Sequence, residues 1–218
     1  MIDINYLSKI ASDSKSLSPR SRFGLMSPWD RLVLHHVAQS LPDNATILEV
    51  GSFLGASAAI MSHACPTAKV YSIDKFDDTV PVSVKGQDRI NLVADALGIG
   101  VPWTVESMQA SVKDYPNIKF FKGSSPYDFQ DWDIEIDLYH EDGNHRLPTV
   151  RDNLQFWSNK VKPNGLIICH DYRPYLPVTD AKRCPDVETS IDELVKTGVA
   201  KFLLQVSQFA ILQKIDNC

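Results

Sequence analysis

Residues 47–59, ILEVGSFLGASAA, decide how this chain folds. The apolar residues before Gly51 are typical of a strand that is buried on both faces, and the small residues after Gly55 are typical of a helix. Gly51 permits a tight turn after the strand, and Gly55 lets the helix begin close to it. The unpaired N–H groups at the start of such a helix favour an anionic group, so we expect a ligand at this turn.

The rest of the chain alternates in the same way between strand-like and helix-like segments. Further strands are predicted at KVYSI, IKFFKG, IDLYHE and GLIICH, followed by a hairpin of AKFLLQVS and FAILQKI. Helices are predicted at MSPWDRLVLHHVAQSLP, ASAAIMSHA, TVRDNLQFWSNKV and DVETSIDELVKTG, the last capped by Gly198. This alternation predicts an α/β fold with a mainly parallel sheet, helices on both of its faces and an antiparallel pair at the end.

Two of these helices show which side they bury. In the first, Ser27 is the predicted N-cap and Pro28 the first helical residue. Its apolar face is predicted to carry Trp29, Leu32, Val33 and Val37. In the helix that begins near residue 149, the residues expected to point into the core are Val150, Leu154 and Trp157.

The composition limits the class of protein. With 218 residues, 44% of them hydrophobic, we expect one domain at residues 25–218, preceded by a polar arm or lid at 1–24. A formal net charge of -5 disfavours nucleic acid as a partner. We find neither a secretory signal nor an apolar run of ~18 residues, so we expect a cytoplasmic protein that does not enter a membrane. The four scattered cysteines are expected to be reduced thiols.

Residues 75–116 are too long for a single crossover between two strands. They contain two helix-like segments, GQDRINLVADALGIG and TVESMQASVKDY. We interpret them as an insertion near the ligand site that shapes substrate choice, with Trp103 as a residue that could line the acceptor pocket.

A carboxylate closes the second strand. Asp74 follows Gly51 by 23 residues, where an acid can accept hydrogen bonds from both hydroxyls of a ribose. The alternative role is a helix cap. A dinucleotide site would need glycine at position 53, and Phe53 leaves less room for a pyrophosphate, so a nicotinamide cofactor is disfavoured.

The pattern Glu49, Gly51, Gly55, Ser57, followed by Asp74, resembles the class I S-adenosyl-L-methionine (SAM)-dependent methyltransferases, and among them the enzymes similar to catechol O-methyltransferase. The resemblance covers residues 25–215. It implies a Rossmann-like sheet of seven strands in the order 3-2-1-4-5-7-6, with the last strand antiparallel. It also implies SAM as cofactor, held by residues of the first turn, the strand 2 acid, the turn after strand 3 and the end of strand 4: Glu49, Gly51, Ser52, Gly55, Ser57, Asp74, Ser124, Ser125 and Asp142.

Polar residues also follow strands 4 and 5, which are neighbours ~4.8 Å apart in this order. Asp142, His170 and Asp171 are the predicted ligands of a divalent cation, Mg²⁺ first, with Mn²⁺ or Ca²⁺ as alternatives. The histidine draws the choice toward a transition metal. His170 and Asp171 can share an ion only if the strand has turned by then, because consecutive strand residues face opposite ways. Alternatively, Asp142 binds only the amino group of SAM, without a metal.

These segments resemble the methyltransferase-24 family, which includes O-methyltransferases that act on sugar hydroxyls of macrolides. The matching residues are Asp142, Gly143, His145, Asp152, Trp157, Pro163, Gly165, His170 and Asp171. Asn164 stands where the family has a first glycine, in a turn that tolerates Asn at positive φ. Leu147 stands where the family has an aromatic residue, which puts a substrate-stacking role there in doubt.

Methyl transfer to an alcohol requires that the hydroxyl lose its proton. His145 is the candidate base, because it lies three residues after Asp142, as a lysine does in catechol O-methyltransferase-like enzymes. His140 and His170 are its rivals, whereas His35, His36 and His63 are expected to be structural or solvated. The predicted acceptor is a small hydroxylated molecule or a sugar, and a homo-oligomer is left open. Two other functions stay open: a non-catalytic SAM- or nucleotide-binding module, and an oxygenase whose iron is held by Asp142, His145 and His170.

Overall fold

A computed structural model of the chain describes residues 26–76, 91–92, 94–96, 98–99, 104–173 and 184–216. The predicted arm at 1–24, Trp103 and much of the predicted insertion lie outside these residues. The helices are α1 (Pro28–Gln39), α2 (Ala56–Ala64), α3 (Val105–Ser111), α4 (Thr149–Ser158) and α5 (Pro185–Lys196). The strands are β1 (Thr46–Val50), β2 (Lys69–Asp74), β3 (Ile118–Lys122), β4 (Ile136–Glu141), β5 (Val161–Cys169), β6 (Ala200–Val206) and β7 (Phe209–Lys214).

The seven strands form one sheet in the order β3-β2-β1-β4-β5-β7-β6. The pairs among β1 to β5 are parallel, and β7 runs antiparallel to both β5 and β6. The predicted fold class and strand order are therefore confirmed. β1 is an interior strand between β2 and β4 and is buried along its whole length, as its apolar sequence requires.

Each face of the sheet carries its own hydrophobic core. Alternate residues of β1 show the division, since Ile47 packs with α1, α2 and α3 on one face, and Leu48 packs with α4 and α5 on the other. The inward side of α4 is the predicted one, with Val150, Leu154 and Trp157 almost fully buried. Ala94, Ile99 and Met108, from the described parts of the predicted insertion, join the first core.

The first helix begins at the predicted cap and buries Leu32, Val33 and Val37 as predicted, but Trp29 does not belong to its buried face. Ser27 and Asp30 form a reciprocal capping box ahead of Pro28. Trp29 was expected in the core and is instead 58% exposed, whereas Asp30 is fully buried. The reason is that the Asp30 carboxylate accepts hydrogen bonds from the backbone and side chain of Gln208, in the turn between β6 and β7. These bonds hold Asp30 in a buried position, and its neighbour Trp29 faces the surface.

β5 begins earlier than predicted, at Val161, and takes in the Pro163–Gly165 turn sequence. Asn164 has φ +64°, the positive value expected for the residue that replaces glycine there. In the described part of the chain, Cys65, Cys169 and Cys184 are free thiols, and no helix is both long and apolar enough to cross a membrane.

The carboxyl ends of the parallel strands meet at one edge of the sheet. Backbone hydrogen bonds continue past the strands there, from the Gly51 N–H to Ile73 and from the Asp142 N–H to Val50. The His170 N–H likewise bonds to the carbonyl of Glu141. The glycine turn and both predicted polar clusters are thus brought to the same edge.

Candidate active site

The turn after β1 depends on two glycines with left-handed backbone, Gly51 at φ +99° and Gly55 at φ +73°. A Cβ on Gly51 would lie 2.1 Å from the backbone oxygen of Asp142. Only glycine lets the turn lie so close to the end of β4. The two motifs singled out in the sequence, the glycine turn and Asp142, are therefore in direct backbone contact.

Gly55 occupies the N-cap position of α2 and so brings no side chain to the first N–H groups of that helix. Ser57 lies buried in the first turn, which carries no acidic residue. The positive end of the helix dipole therefore faces the turn without a competing carboxylate of its own.

Asp74 ends β2 beside the same turn, and its two carboxylate oxygens are used differently. Oδ2 accepts a hydrogen bond of 2.8 Å from the N–H of Phe53, and Oδ1 accepts one of 3.2 Å from the N–H of Phe76. Each oxygen retains a further lone pair for another donor. Phe53 adopts φ +45°, and its side chain packs against the core on the α1 side of the sheet.

Glu49 is fully buried under the turn, in a chain of hydrogen bonds. Its Oε1 lies 3.2 Å from His140 Nδ1, and its Oε2 accepts a short hydrogen bond from the Ser72 hydroxyl. Ser72 in turn contacts the hydroxyl of Ser52 at 2.6 Å. Glu49 and Ser52 therefore support the turn through hydrogen bonds to buried residues of β2 and β4. His140, a rival for the role of base, is fully buried in this chain.

The turn after β3 contains Ser124 and Ser125. The Ser125 hydroxyl donates to Asn153 at 2.9 Å and accepts from the indole N–H of Trp157 at 2.8 Å. Ser124 is half-buried, and its N–H donates to Asp128. The side chain of Ser125 thus anchors the turn to α4, whereas Ser124 lies nearer the surface.

Four side chains converge where β4 and β5 end. His170 Nδ1 lies 3.3 Å from Asp142 Oδ1 and 3.5 Å from Asp171 Oδ2. His145 Nε2 lies 3.3 Å from that same oxygen of Asp171 and 3.7 Å from Asp142 Oδ1. We call Asp142, His145, His170 and Asp171 the strand-end cluster.

The backbone turns after β5, as it must if His170 and Asp171 are to share an ion. β5 ends at Cys169, and Asp171 has φ +56°, in the left-handed region. This bend lets His170 and Asp171 face the same point although they are consecutive. Asp142, His170 and Asp171 each present a ligand atom within 4.8 Å of the others.

A second set of three ligand atoms overlaps the cluster. Cys184, at the N-cap of α5, offers its Sγ within 4.8 Å of ligand atoms from His145 and Asp171. The segment between β4 and α4 is joined to the start of α5 by a hydrogen bond, in which the Leu147 N–H donates to the Asp186 carboxylate at 3.2 Å. The sequence placed Cys184 only among scattered thiols, and nothing in its spacing pointed to this site.

Asp30 is the other residue that the sequence did not single out. Its Oδ2 lies 3.5 Å from His170 Nε2, the ring nitrogen that faces away from Asp142. The only signal in the sequence was an acid in the first turn of α1, which helix capping already explains. Its proximity to His170 arises from a contact between segments far apart in the chain and could not be read from any local pattern.

The charges in the cluster shift the acid–base equilibria of its members. Burial would lower the pKa of His170, but Asp142, Asp171 and Asp30 raise it to about 12. Burial would raise the pKa of Asp142, but His170 and His145 hold it well below its usual value. The contact with Asp142 raises the pKa of His145 above its ordinary value. The carboxylates of the cluster thus stabilise positive charge on its histidines.

Glu141 lies on the opposite face of β4 from this cluster. It is fully buried, which raises its pKa to about 7 against the opposing effect of its hydrogen bonds. Those bonds come from the hydroxyl of Tyr139, the N–H of Gly143 and the side chain of Asn153. Asn153 also accepts from Ser125, so this network ties the ends of β3 and β4 to α4.

The sheet order, the antiparallel seventh strand and a glycine turn facing an acid at the end of β2 together define the class I SAM-dependent methyltransferase fold. The family comparison agrees, since the family model described as a methyltransferase domain, methyltransferase-24, matches residues 48–172. The match covers more than half of the chain and includes both motifs. The chain therefore belongs to the methyltransferase-24 family.

Solved structures with the same fold are distant in sequence. The O-methyltransferase NovP is 14% identical with a TM-score of 0.62, and the alignment covers 97% of this chain and 98% of NovP. An O-methyltransferase from Bacillus cereus, solved in complex with S-adenosylhomocysteine (SAH), is 13% identical with a TM-score of 0.56, covering 97% and 90%. The SAH-bound methyltransferase PaMTH1 from Podospora anserina is 16% identical with a TM-score of 0.57, covering 96% and 88%. No curated protein sequence matches this chain.

Proposed function

We propose that the protein transfers the methyl group of SAM to a hydroxyl of a small molecule or sugar, with the help of a divalent cation in the strand-end cluster. The observation that carries this proposal is the backbone contact between Gly51 and Asp142, because it joins the cofactor turn to the cation ligands. NovP and the Bacillus cereus protein are O-methyltransferases, which supports the same reaction class.

On the cofactor side, each part of SAM has a proposed partner. Asp74 accepts from the ribose hydroxyls, and the first N–H groups of α2 face the methionine carboxylate. Ser124 borders the adenine, with Ser125 fixing that turn through its bond to Trp157. Glu49 and Ser52 act from beneath the turn, since their polar atoms are bonded to other buried groups. SAM supplies a methyl group on a positively charged sulfur, which is already a good leaving group.

On the cation side, the donor set fits a divalent ion. Asp142, His170 and Asp171 converge, and the buried Nε2 of His145 makes no hydrogen bond with the residues that the structure describes. Such an ion supplies positive charge that lowers the pKa of an acceptor hydroxyl. Mg²⁺ or Mn²⁺ suits the carboxylates, whereas the imidazoles and the nearby thiol of Cys184 favour a transition metal such as Zn²⁺ or Co²⁺.

His145 is the proposed base. Its side chain is 36% exposed, so an acceptor can approach the ring, unlike that of the fully buried His140, while Nε2 itself is buried in the strand-end cluster. Asp142 and Asp171 flank its Nε2 and orient the ring. A proton on that nitrogen would be stabilised by both carboxylates.

An assay of methyl transfer tests the proposal. Labelled SAM would be incubated with catechols and hydroxylated sugars, after removal of metal and then with Mg²⁺, Mn²⁺, Co²⁺ or Zn²⁺ in turn. We expect label in at least one acceptor, and we expect Asp142→Asn to abolish it. Asp43→Asn is the matched control, because Asp43 lies in the loop before β1 and accepts from Thr67, away from the cluster.

The other functions predict different results. A non-catalytic binding module would bind SAH in calorimetry but transfer no label to any acceptor. An oxygenase would contain iron after purification and would consume oxygen without SAM. Absence of SAH binding at concentrations of hundreds of micromolar would rule out the proposed transferase altogether.

A further inference from the structure

Asp30 is a fully buried carboxylate, and helix capping accounts for only part of its environment. Its Oδ2 accepts a hydrogen bond of 3.0 Å from the N–H of Ser27, which a capping box would also supply at an exposed helix end. Burying a carboxylate is costly unless it is paired and hydrogen-bonded. Complete burial against β5 and the β6–β7 turn therefore calls for a second role.

The second partner of Asp30 is His170. The ring of His170 lies between Oδ2 of Asp30, 3.5 Å from Nε2, and the ring of Phe209, whose centroid lies 4.8 Å away. The contact with Asp30 is an ion-pair contact, since Nε2 makes no hydrogen bond to any of the described residues. Gln208, next to Phe209, donates to both oxygens of Asp30 and fixes the carboxylate in place. This arrangement leaves Nδ1 of His170 as the nitrogen that faces Asp142 and Asp171.

We propose that Asp30 is a positioning residue that orients His170 through Nε2, so that Nδ1 points at the cation site. The inference rests on the proposed function in so far as it requires that a cation binds the strand-end cluster. A histidine that binds a metal ion commonly donates its other N–H to a carboxylate, which fixes the ring and strengthens the ligand. Here the carboxylate nearest to that nitrogen comes from α1, so α1 would support the site where β4 and β5 end.

The test compares two substitutions that both weaken the start of α1. Asp30→Asn keeps an oxygen for the Ser27 N–H but removes the charge that faces His170. Ser27→Ala removes the hydroxyl of the capping box and leaves the carboxylate beside His170. Binding of Co²⁺ and of Mn²⁺ would be measured by calorimetry, together with the visible ligand-field spectrum of the Co²⁺-loaded protein and the melting temperature of each variant.

We expect Asp30→Asn to weaken Co²⁺ binding by about 10- to 100-fold and to change the ligand-field spectrum. Ser27→Ala should lower the melting temperature and leave both the metal affinity and the spectrum unchanged. Gln208→Ala removes an amide donor to Asp30 and should shift metal binding in the same direction by a smaller factor. If Asp30→Asn does not accumulate in folded form, Gln208→Ala takes its place in the comparison with Ser27→Ala.

A double-mutant cycle isolates the path through His170. In a His170→Asn background, Asp30→Asn should have no further effect on Co²⁺ affinity. The proposal is overturned if Asp30→Asn binds Co²⁺ like the unaltered protein, if Ser27→Ala loses as much affinity, or if Asp30→Asn has its full effect without His170. If the unaltered protein binds neither metal, the cation-assisted function fails as well, and SAH calorimetry shows whether the cofactor site stands without it.

Discussion

At the scale of single residues, the hydrogen bonds that a side chain makes within the protein determine whether it can still bind a ligand. Asp74 bonds to the backbone of the glycine turn and still has lone pairs for a ligand. Ser125, by contrast, uses its hydroxyl as both donor and acceptor within the protein. The Asp74 side chain therefore has more remaining hydrogen-bonding capacity for a ligand than that of Ser125.

Replacing Asp74 with Ala tests this at the residue scale. Loss of hydrogen bonds to a charged group costs about 1.5–3 kcal/mol, so we expect SAH binding to weaken by about 10- to 100-fold in calorimetry. Asp43→Ala is the control, because Asp43 lies in the loop before β1 and accepts from Thr67 at the opposite edge of the sheet. Equal SAH affinity in the Asp74 and Asp43 variants would contradict the assignment.

The element that joins the two halves of the site is the turn between β1 and α2. Its geometry follows from the φ angles of Gly51 and Gly55 and from the close approach of Gly51 to β4. A change in this turn would displace both the N-terminus of α2 and the backbone of Asp142. Stability and ligand binding are therefore coupled at this element.

Two glycine substitutions separate the effect of conformation from that of contact. Gly198 has φ +74° and open space where an added Cβ would lie, so Gly198→Ala should cost only the left-handed strain, about 1 to 2 kcal/mol. Gly51→Ala adds a collision with the Asp142 carbonyl, which we expect to cost about 1–3 kcal/mol more and to abolish SAH binding. Urea denaturation and calorimetry check both. Similar losses of stability, with SAH binding retained, would show that the contact is unimportant.

For the whole molecule, the sequence predicted the parts that depend on local pattern. The apolar run of β1, the hairpin at the end and the burial of Trp157 follow from periodicity and spacing, and each is confirmed. Asp30 and Cys184 could not be found in this way, because their roles depend on contacts between segments far apart in the chain. Trp29 was misplaced for the same reason, since the buried position beside it belongs to Asp30, which bonds to Gln208 far along the chain.

The pH dependence of stability is a property of the whole molecule. We expect His35, which lies outside the candidate active site, to influence it. Burial between α1 and α2 lowers the pKa of His35, and the nearby His63 and His36 lower it further. The unfolded chain therefore binds a proton at His35 at a higher pH than the folded protein does. Stability from this residue is fully present above the unfolded pKa of about 6.5 and is lost as the pH falls through the folded pKa.

We therefore expect the melting temperature of the unaltered protein to fall relative to that of His35→Gln between about pH 7.5 and pH 5.5. Differential scanning calorimetry across this range measures both curves. His63→Gln is the matched control, because His63 is exposed. This substitution removes only the effect of His63 on the pKa of His35, which is smaller than the effect of burial. Parallel curves for the unaltered protein and His35→Gln would show that His35 has no such effect.

The most direct test of the central claim is a crystal structure of the protein with SAH and a divalent cation. We predict that the ribose hydroxyls bond to Asp74 and that the amino-acid carboxylate faces the N-terminus of α2. The cation should lie among Asp142, His170 and Asp171, at the same carboxyl ends of the strands as Gly51. A structure with SAH bound elsewhere, or with Asp74 out of reach of the ribose, would contradict the account.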